Sequence, residues 1–131
     1  MITFVDTNIL LDVLLPDPNF GEHSCKSLEE AYQEGSLIIN EIIYAELSPQ
    51  FPSQKVLEST LLKMGIRIVT IDKATTYRAG HIWKQYKAAG GKRDRILADF
   101  LIGAHSENQA DRLLTRDREF YKKYFKRLQI I

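Results

Sequence analysis

Short apolar runs alternate with amphipathic segments along the whole chain. "ITFVD" (2–6) opens it as a strand apolar on both faces, the pattern of a sheet covered on both sides. Residues 7–15 place Ile9, Leu10, Val13 and Leu14 at helical spacing, and Pro16 and Pro18 end that helix. A helix over 20–34 closes at Gly35, "SLIIN" (36–40) is a second strand, and "EIIYAEL" (41–47) returns to helix before Pro49. The same reading gives a helix over 53–64, a strand over 66–71, a long helix over 72–88 and a "GGKR" loop at 90–93. A helix over 94–109, a strand over 112–115, a short helix over 116–125 and a last strand over 128–131 complete the chain. Strands alternating with helices predict an α/β fold: a three-layer α/β/α sandwich around a short, mostly parallel sheet. In such sheets ligands lie beyond the C-terminal ends of the strands.

Composition narrows the field only slightly. The 131 residues suit a single domain, 1–131. The charge is +1, so any attraction for nucleic acid must come from local patches. Cys25 stands alone, so no disulfide forms within the chain, and no apolar run approaches the ~20 residues of a membrane helix. With no signal-peptide pattern at the start, the expected setting is the cytoplasm, with no membrane partner.

The acidic residues change the picture. Asp6 ends the first strand and Asp117 follows the fourth, in "LLTRD"; taken singly, each reads as an N-cap for the next helix. Glu46 lies in the helix after the second strand and, alone, is an ordinary solvated residue. Asp99 is harder to dismiss, because nearly every neighbour in "ILADFLIGAH" is apolar and a carboxylate is not buried without a partner. Gly103, four residues on, leaves room beside it or else marks close helix packing. Asp6, Glu46, Asp99 and Asp117 thus fall in four segments that all approach the crevice. Carboxylates gathered there need a counter-charge, and hard cations such as Mg²⁺ and Mn²⁺ prefer oxygen ligands. A site of carboxylates alone suits phosphodiester hydrolysis better than zinc chemistry.

Other polar residues read differently. Asp94 lies about 140° around the helix from Asp99 and is expected to cap it. Asp12 reads as solvated and Asp72 as a cap. His23, His81 and His105 lack metal-ligand spacing, and Cys25 has no evident base partner. Basic residues gather at Lys92, Arg93 and Arg95, and again from Arg116 to Arg127, where they could follow an RNA backbone or form a solvated face. Tyr121, Tyr124 and Phe125 are core candidates before they are base-stacking ones.

Asp-Thr-Asn after the first strand, Glu in "AEL", Asp in "ADFLIGAH" and Asp in "LLTRDREFY" together resemble the PIN-domain nucleases, and within them the VapC-like toxin endoribonucleases of toxin–antitoxin pairs. The resemblance runs from Ile2 to the last strand. It implies that Asp6, Glu46, Asp99 and Asp117 hold one or two Mg²⁺ or Mn²⁺ ions, with Thr7, Asn8 and Thr115 orienting ligands or water. It also implies an endoribonuclease acting on RNA, homodimers, and a small antitoxin partner; Lys92, Arg93, Arg95 and Arg116 become candidate RNA contacts. The rival readings are a housekeeping RNA-processing nuclease and a catalytically silent RNA- or protein-binding module of the same fold. A haloacid-dehalogenase-type phosphotransferase needs a second acid two residues after the first, where this chain has Asn8.

Overall fold

The computed structural model describes residues 1–92 and 95–131; Arg93 and Asp94, a candidate RNA contact and a candidate cap, lie outside the described residues. Among the described residues five strands form one sheet, in the order β3-β2-β1-β4-β5: β1 (Ile2–Val5), β2 (Ser36–Ile39), β3 (Ile66–Ile68), β4 (Arg112–Leu114) and β5 (Gln129–Ile130). Every strand pair is parallel, with Phe4 opposite Ile38 on one side and Leu113 on the other. Phe4, Leu37, Ile38, Ile39 and Leu113 are buried, as expected for strands covered on both faces.

The strand order fixes where a ligand can bind. From β1 the chain moves outward to β2 and β3, then crosses back to β4 on the other side of β1. Right-handed crossovers place the connections of these two excursions on opposite faces of the sheet. One excursion carries α1 (Thr7–Leu14), α2 (Gly21–Glu34), α3 (Glu41–Leu47) and α4 (Gln54–Lys63); the return carries α5 (Lys73–Ala88) and α6 (Leu97–Gln109). Between β1 and β4 the connections diverge, which opens a crevice at their C-terminal ends. The last residue of β1 is followed by Asp6; β4 is followed by Thr115, Arg116, Asp117 and α7 (Arg118–Tyr124).

Local chemistry explains the boundaries. Asp6 caps α1, and the helix stops at Leu15 ahead of Pro16. Asn40 caps α3 through both Ile42 and Ile43, Ser53 caps α4, and Asp72 caps α5 as expected. Gly65 ends α4 at φ +70, a left-handed conformation that favours glycine. Several boundaries differ from the sequence reading. Ser48–Gln50 adds a 3₁₀ turn around Pro49, and β3 ends at Ile68 rather than 71 because this edge strand has only β2 to pair with. More consequentially, α6 begins at Leu97 rather than 94.

Candidate active site at the β1–β4 crevice

Asp6 lies at the centre of the crevice, 6% exposed, and both its oxygens are used. Oδ1 accepts from the Thr7 backbone N–H at 2.7 Å. Oδ2 accepts from the Thr115 hydroxyl at 2.7 Å and from the Asn8 amide at 3.3 Å. Asp6 is therefore the cap of α1, the role its position suggests when it is taken singly. Thr7 instead turns its hydroxyl to Glu46 Oε1, 2.8 Å away. Thr115 also accepts the Asp117 backbone N–H at 3.0 Å. One hydrogen-bonded network thus joins the end of β1, the start of α1, α3 and the loop after β4.

Burial pushes the Asp6 carboxyl up to about 6; the hydrogen bonds from Thr115 and Thr7 pull the other way, and the charges of Glu46 and Asp99 raise it further. Three acids therefore share one electrostatic environment. The phenol of Tyr121 feels it too: burial first, then the charges of Asp6, Asp99 and Asp117, hold it well above the usual tyrosine range, with Arg95 opposing. Sequence reading places Tyr121 in the core and misses this second position. The available signal is its spacing, one helical turn after Asp117.

Asp99 is a first-turn residue of α6, not a mid-helix one. Its Oδ2 accepts the Ile96 backbone N–H at 3.1 Å. A carboxylate in the first turn satisfies a free donor and suits the helix dipole, which accounts for a charge in this apolar stretch. Gly103 marks close packing rather than room for a carboxylate: a Cβ there would run into the Phe125 ring.

Asp117 precedes α7 but makes no side-chain cap. Its carboxylate faces Arg95 instead: Nη1 pairs with Oδ2, and Nη2 donates to Oδ1 at 3.2 Å. Arg116, a candidate RNA contact, is committed elsewhere. It donates to Asp12 through Nε (2.7 Å) and Nη2 (3.0 Å) and lies 4.1 Å over the Phe20 ring. Asp12, read as solvated, is 3% exposed and also accepts from Ser24. Its burial favours the neutral form, but Arg116 and Ser24 outweigh that and hold its carboxyl below the usual range. Lys92 is exposed beside a pocket of about 560 Å³ that Arg95, Asp117, Phe120 and Lys123 also line.

The donors are all oxygen, which suits a hard divalent cation. Among the described residues, however, no three His, Cys, Asp or Glu side chains gather as a group that could hold an ion. Asp6, Glu46 and Asp99 sit near one another, while Asp117 is turned to Arg95. The acids are adjacent rather than convergent.

A family model described as the PIN domain matches residues 3–126. Nothing matches among the curated proteins. Among solved structures, VapBC2 of Rickettsia felis, bound to a promoter DNA fragment, is similar at a TM-score of 0.75 and 21% identity, covering 100% of this chain and 98% of that one. VapBC-1 of nontypeable Haemophilus influenzae is similar at 0.74 and 22%, covering 100% and 97%. VapC20 of Mycobacterium tuberculosis, a toxin cleaving the sarcin-ricin loop, is similar at 0.64 and 10%, covering 97% and 98%. At these identities the structural likeness speaks for the fold.

Proposed function

Because the chain belongs to the PIN domain family, we propose that it is a divalent-metal-dependent endoribonuclease and the toxin of a toxin–antitoxin pair. The observation that carries this reading is the network at the switch point of the sheet. Thr115 ties Asp6 to the Asp117 backbone, and Thr7 ties the start of α1 to Glu46. Such a network positions oxygen ligands where an α/β sheet binds its ligand.

In this reading Asp6, Glu46, Asp99 and Asp117 hold Mg²⁺ or Mn²⁺. The bound ion would supply positive charge to the scissile phosphate and acidify a coordinated water. The chain does the rest. Thr115 and Asn8 fix the Asp6 carboxylate by hydrogen bonds, so that it need not reorganise when an ion arrives. Thr7 does the same for Glu46. Lys92 and Lys123, exposed in the lining of the pocket beside Asp117, would meet the RNA backbone, while Arg95 is held by Asp117. Toxin–antitoxin complexes among the similar structures support a small antitoxin as partner. A homodimer acting in the cytoplasm completes the proposal.

The test is cleavage of a structured RNA by the purified protein with Mn²⁺, with EDTA, and by Asp6→Asn and Asp99→Asn. Cleavage by the wild type with Mn²⁺ alone is expected. Equal cleavage in all four samples, or none by the wild type with Mn²⁺, would sink the nuclease reading. Relief of growth inhibition by the adjacent small gene would support the toxin assignment; a harmless protein would count against it.

A further inference from the structure

The ion pair at the edge of the site points to a role for Arg95 that the fold alone does not assign. Arg95 engages both oxygens of Asp117 and places a full positive charge against them, so a cation at this carboxylate meets the guanidinium's repulsion and competes with it for the same oxygens. The guanidinium also rests 4.2 Å over the Phe120 ring, which holds its flat face while its edge serves the acid. Phe120 is buried at the start of α7, three residues after Asp117, so acid and ring present one seat for a planar cation. The Asp117 carboxylate makes no cap on α7. Its orientation is set by Arg95 rather than by the helix that follows it. Arg95 belongs to the segment entering α6, the helix that carries Asp99, so the pair links the entrances of the two helices that bear these acids. The 560 Å³ pocket alongside, with Lys92 and Lys123 in its lining, gives the side chain somewhere else to go.

We propose that Arg95 is a built-in competitor for the divalent cation: it neutralises Asp117 while the ion is away, and its charge opposes ligation by Asp117 until it moves aside. This rests on the metal-nuclease reading above. Arg95 is a positioning residue here, acting through Asp117. The competition has a sign that a merely structural role would not produce. Removing a structural arginine loosens the site and weakens metal binding, whereas removing a competitor tightens it.

Mn²⁺ binding by the intact protein, followed by calorimetric titration without RNA, separates the two. Arg95→Gln keeps a polar side chain on a partly exposed residue and loses the charge; Arg95→Lys keeps the charge but loses the two-pronged contact. Arg95→Gln is expected to bind Mn²⁺ about three- to ten-fold more tightly than wild type, with Arg95→Lys between them. Mn²⁺ binding by Arg95→Gln alone, with the wild type too weak to measure, would support the proposal most strongly. Unchanged or weaker binding by Arg95→Gln, in a wild type whose Mn²⁺ binding Asp6→Asn abolishes, would overturn it and leave the nuclease reading standing. If neither wild type nor Arg95→Gln binds Mn²⁺, the metal-nuclease reading falls and the competition falls with it.

Discussion

Asn40 and His105 show how one buried pair fixes a protonation state. Asn40 Oδ1 accepts from Ile42 and Ile43 at the start of α3, which sets the direction of its amide, so Nδ2 faces His105 Nδ1 at 3.1 Å. The ring must accept there, and a proton on Nδ1 would point at another donor. His105 is fully buried against Phe4, and its Nε2 has no hydrogen-bond partner among the described residues. Burial lowers its pKa below 6.5, while Glu41 and Asp72 oppose the shift. A lowered folded value means that the stabilising contribution is present above 6.5 and is lost as pH falls through the folded pKa. Asp6 runs the other way, because its folded value of about 6 lies above 3.8: its contribution is present below 3.8 and lost as pH rises through about 6. Only a difference between proteins therefore isolates the imidazole. His105→Gln is expected to be less stable than wild type by about 1–3 kcal/mol above pH 6.5, with a gap that narrows as the pH falls. Urea unfolding on both sides of that pH measures it, and a constant gap would mean His105 does not titrate this way. Neither this pair nor Asp12–Arg116 is legible in the sequence. Each joins residues far apart along the chain, and a local reading sends the polar Asp12 to solvent and names no partner for His105.

At the scale of elements, the apolar periodicity placed the strands and α-helices of the described residues to within a few residues, though not the 3₁₀ turn at Ser48–Gln50. It failed at the start of α6, where "RILADF" carries no polar cap before Leu97 and Asp99 itself serves the Ile96 N–H. That one shift turns Asp99 from an anomaly into a first-turn acid. Gly103 was ambiguous for a related reason: a glycine in a helix signals closeness, but not to what. The structure supplies the partner, Phe125, which is fully buried where α7 ends. Gly103→Ala should therefore destabilise the protein by about 1–3 kcal/mol through overpacking, although alanine is the better helix former. Adding Phe125→Leu should recover part of that loss, since the smaller side chain leaves room for the new methyl group. A double-mutant cycle by urea unfolding reads the coupling; additive losses would show that the two residues do not meet.

For the molecule as a whole, strand order explains why four separate segments meet at one edge, and alternation of strands and helices made that edge readable in advance. Which charges remain available to a nucleic acid was not readable, because partners across the fold decide it. Arg116 is held by Asp12, and Arg127 bonds to Glu107, so these two members of the basic C-terminal run are engaged within the fold. Lys92 and Lys123, both exposed, line the pocket beside Asp117 and, on the proposed reading, would meet the RNA backbone. With a net charge of only +1, binding should depend on these few contacts rather than on a global field. Each phosphate neutralised on a single strand steepens the dependence of log K on log salt by about 0.7. Binding of a single-stranded RNA to the Asp99→Asn protein, measured across a salt series, should then lose about 0.7 from its slope on Lys123→Ala and as much again on Lys92→Ala. Lys63→Ala, at the end of α4 and away from the crevice, should leave the slope unchanged. An equal fall in all three would place the RNA on a diffuse charged surface and remove the pocket beside Asp117 from its path.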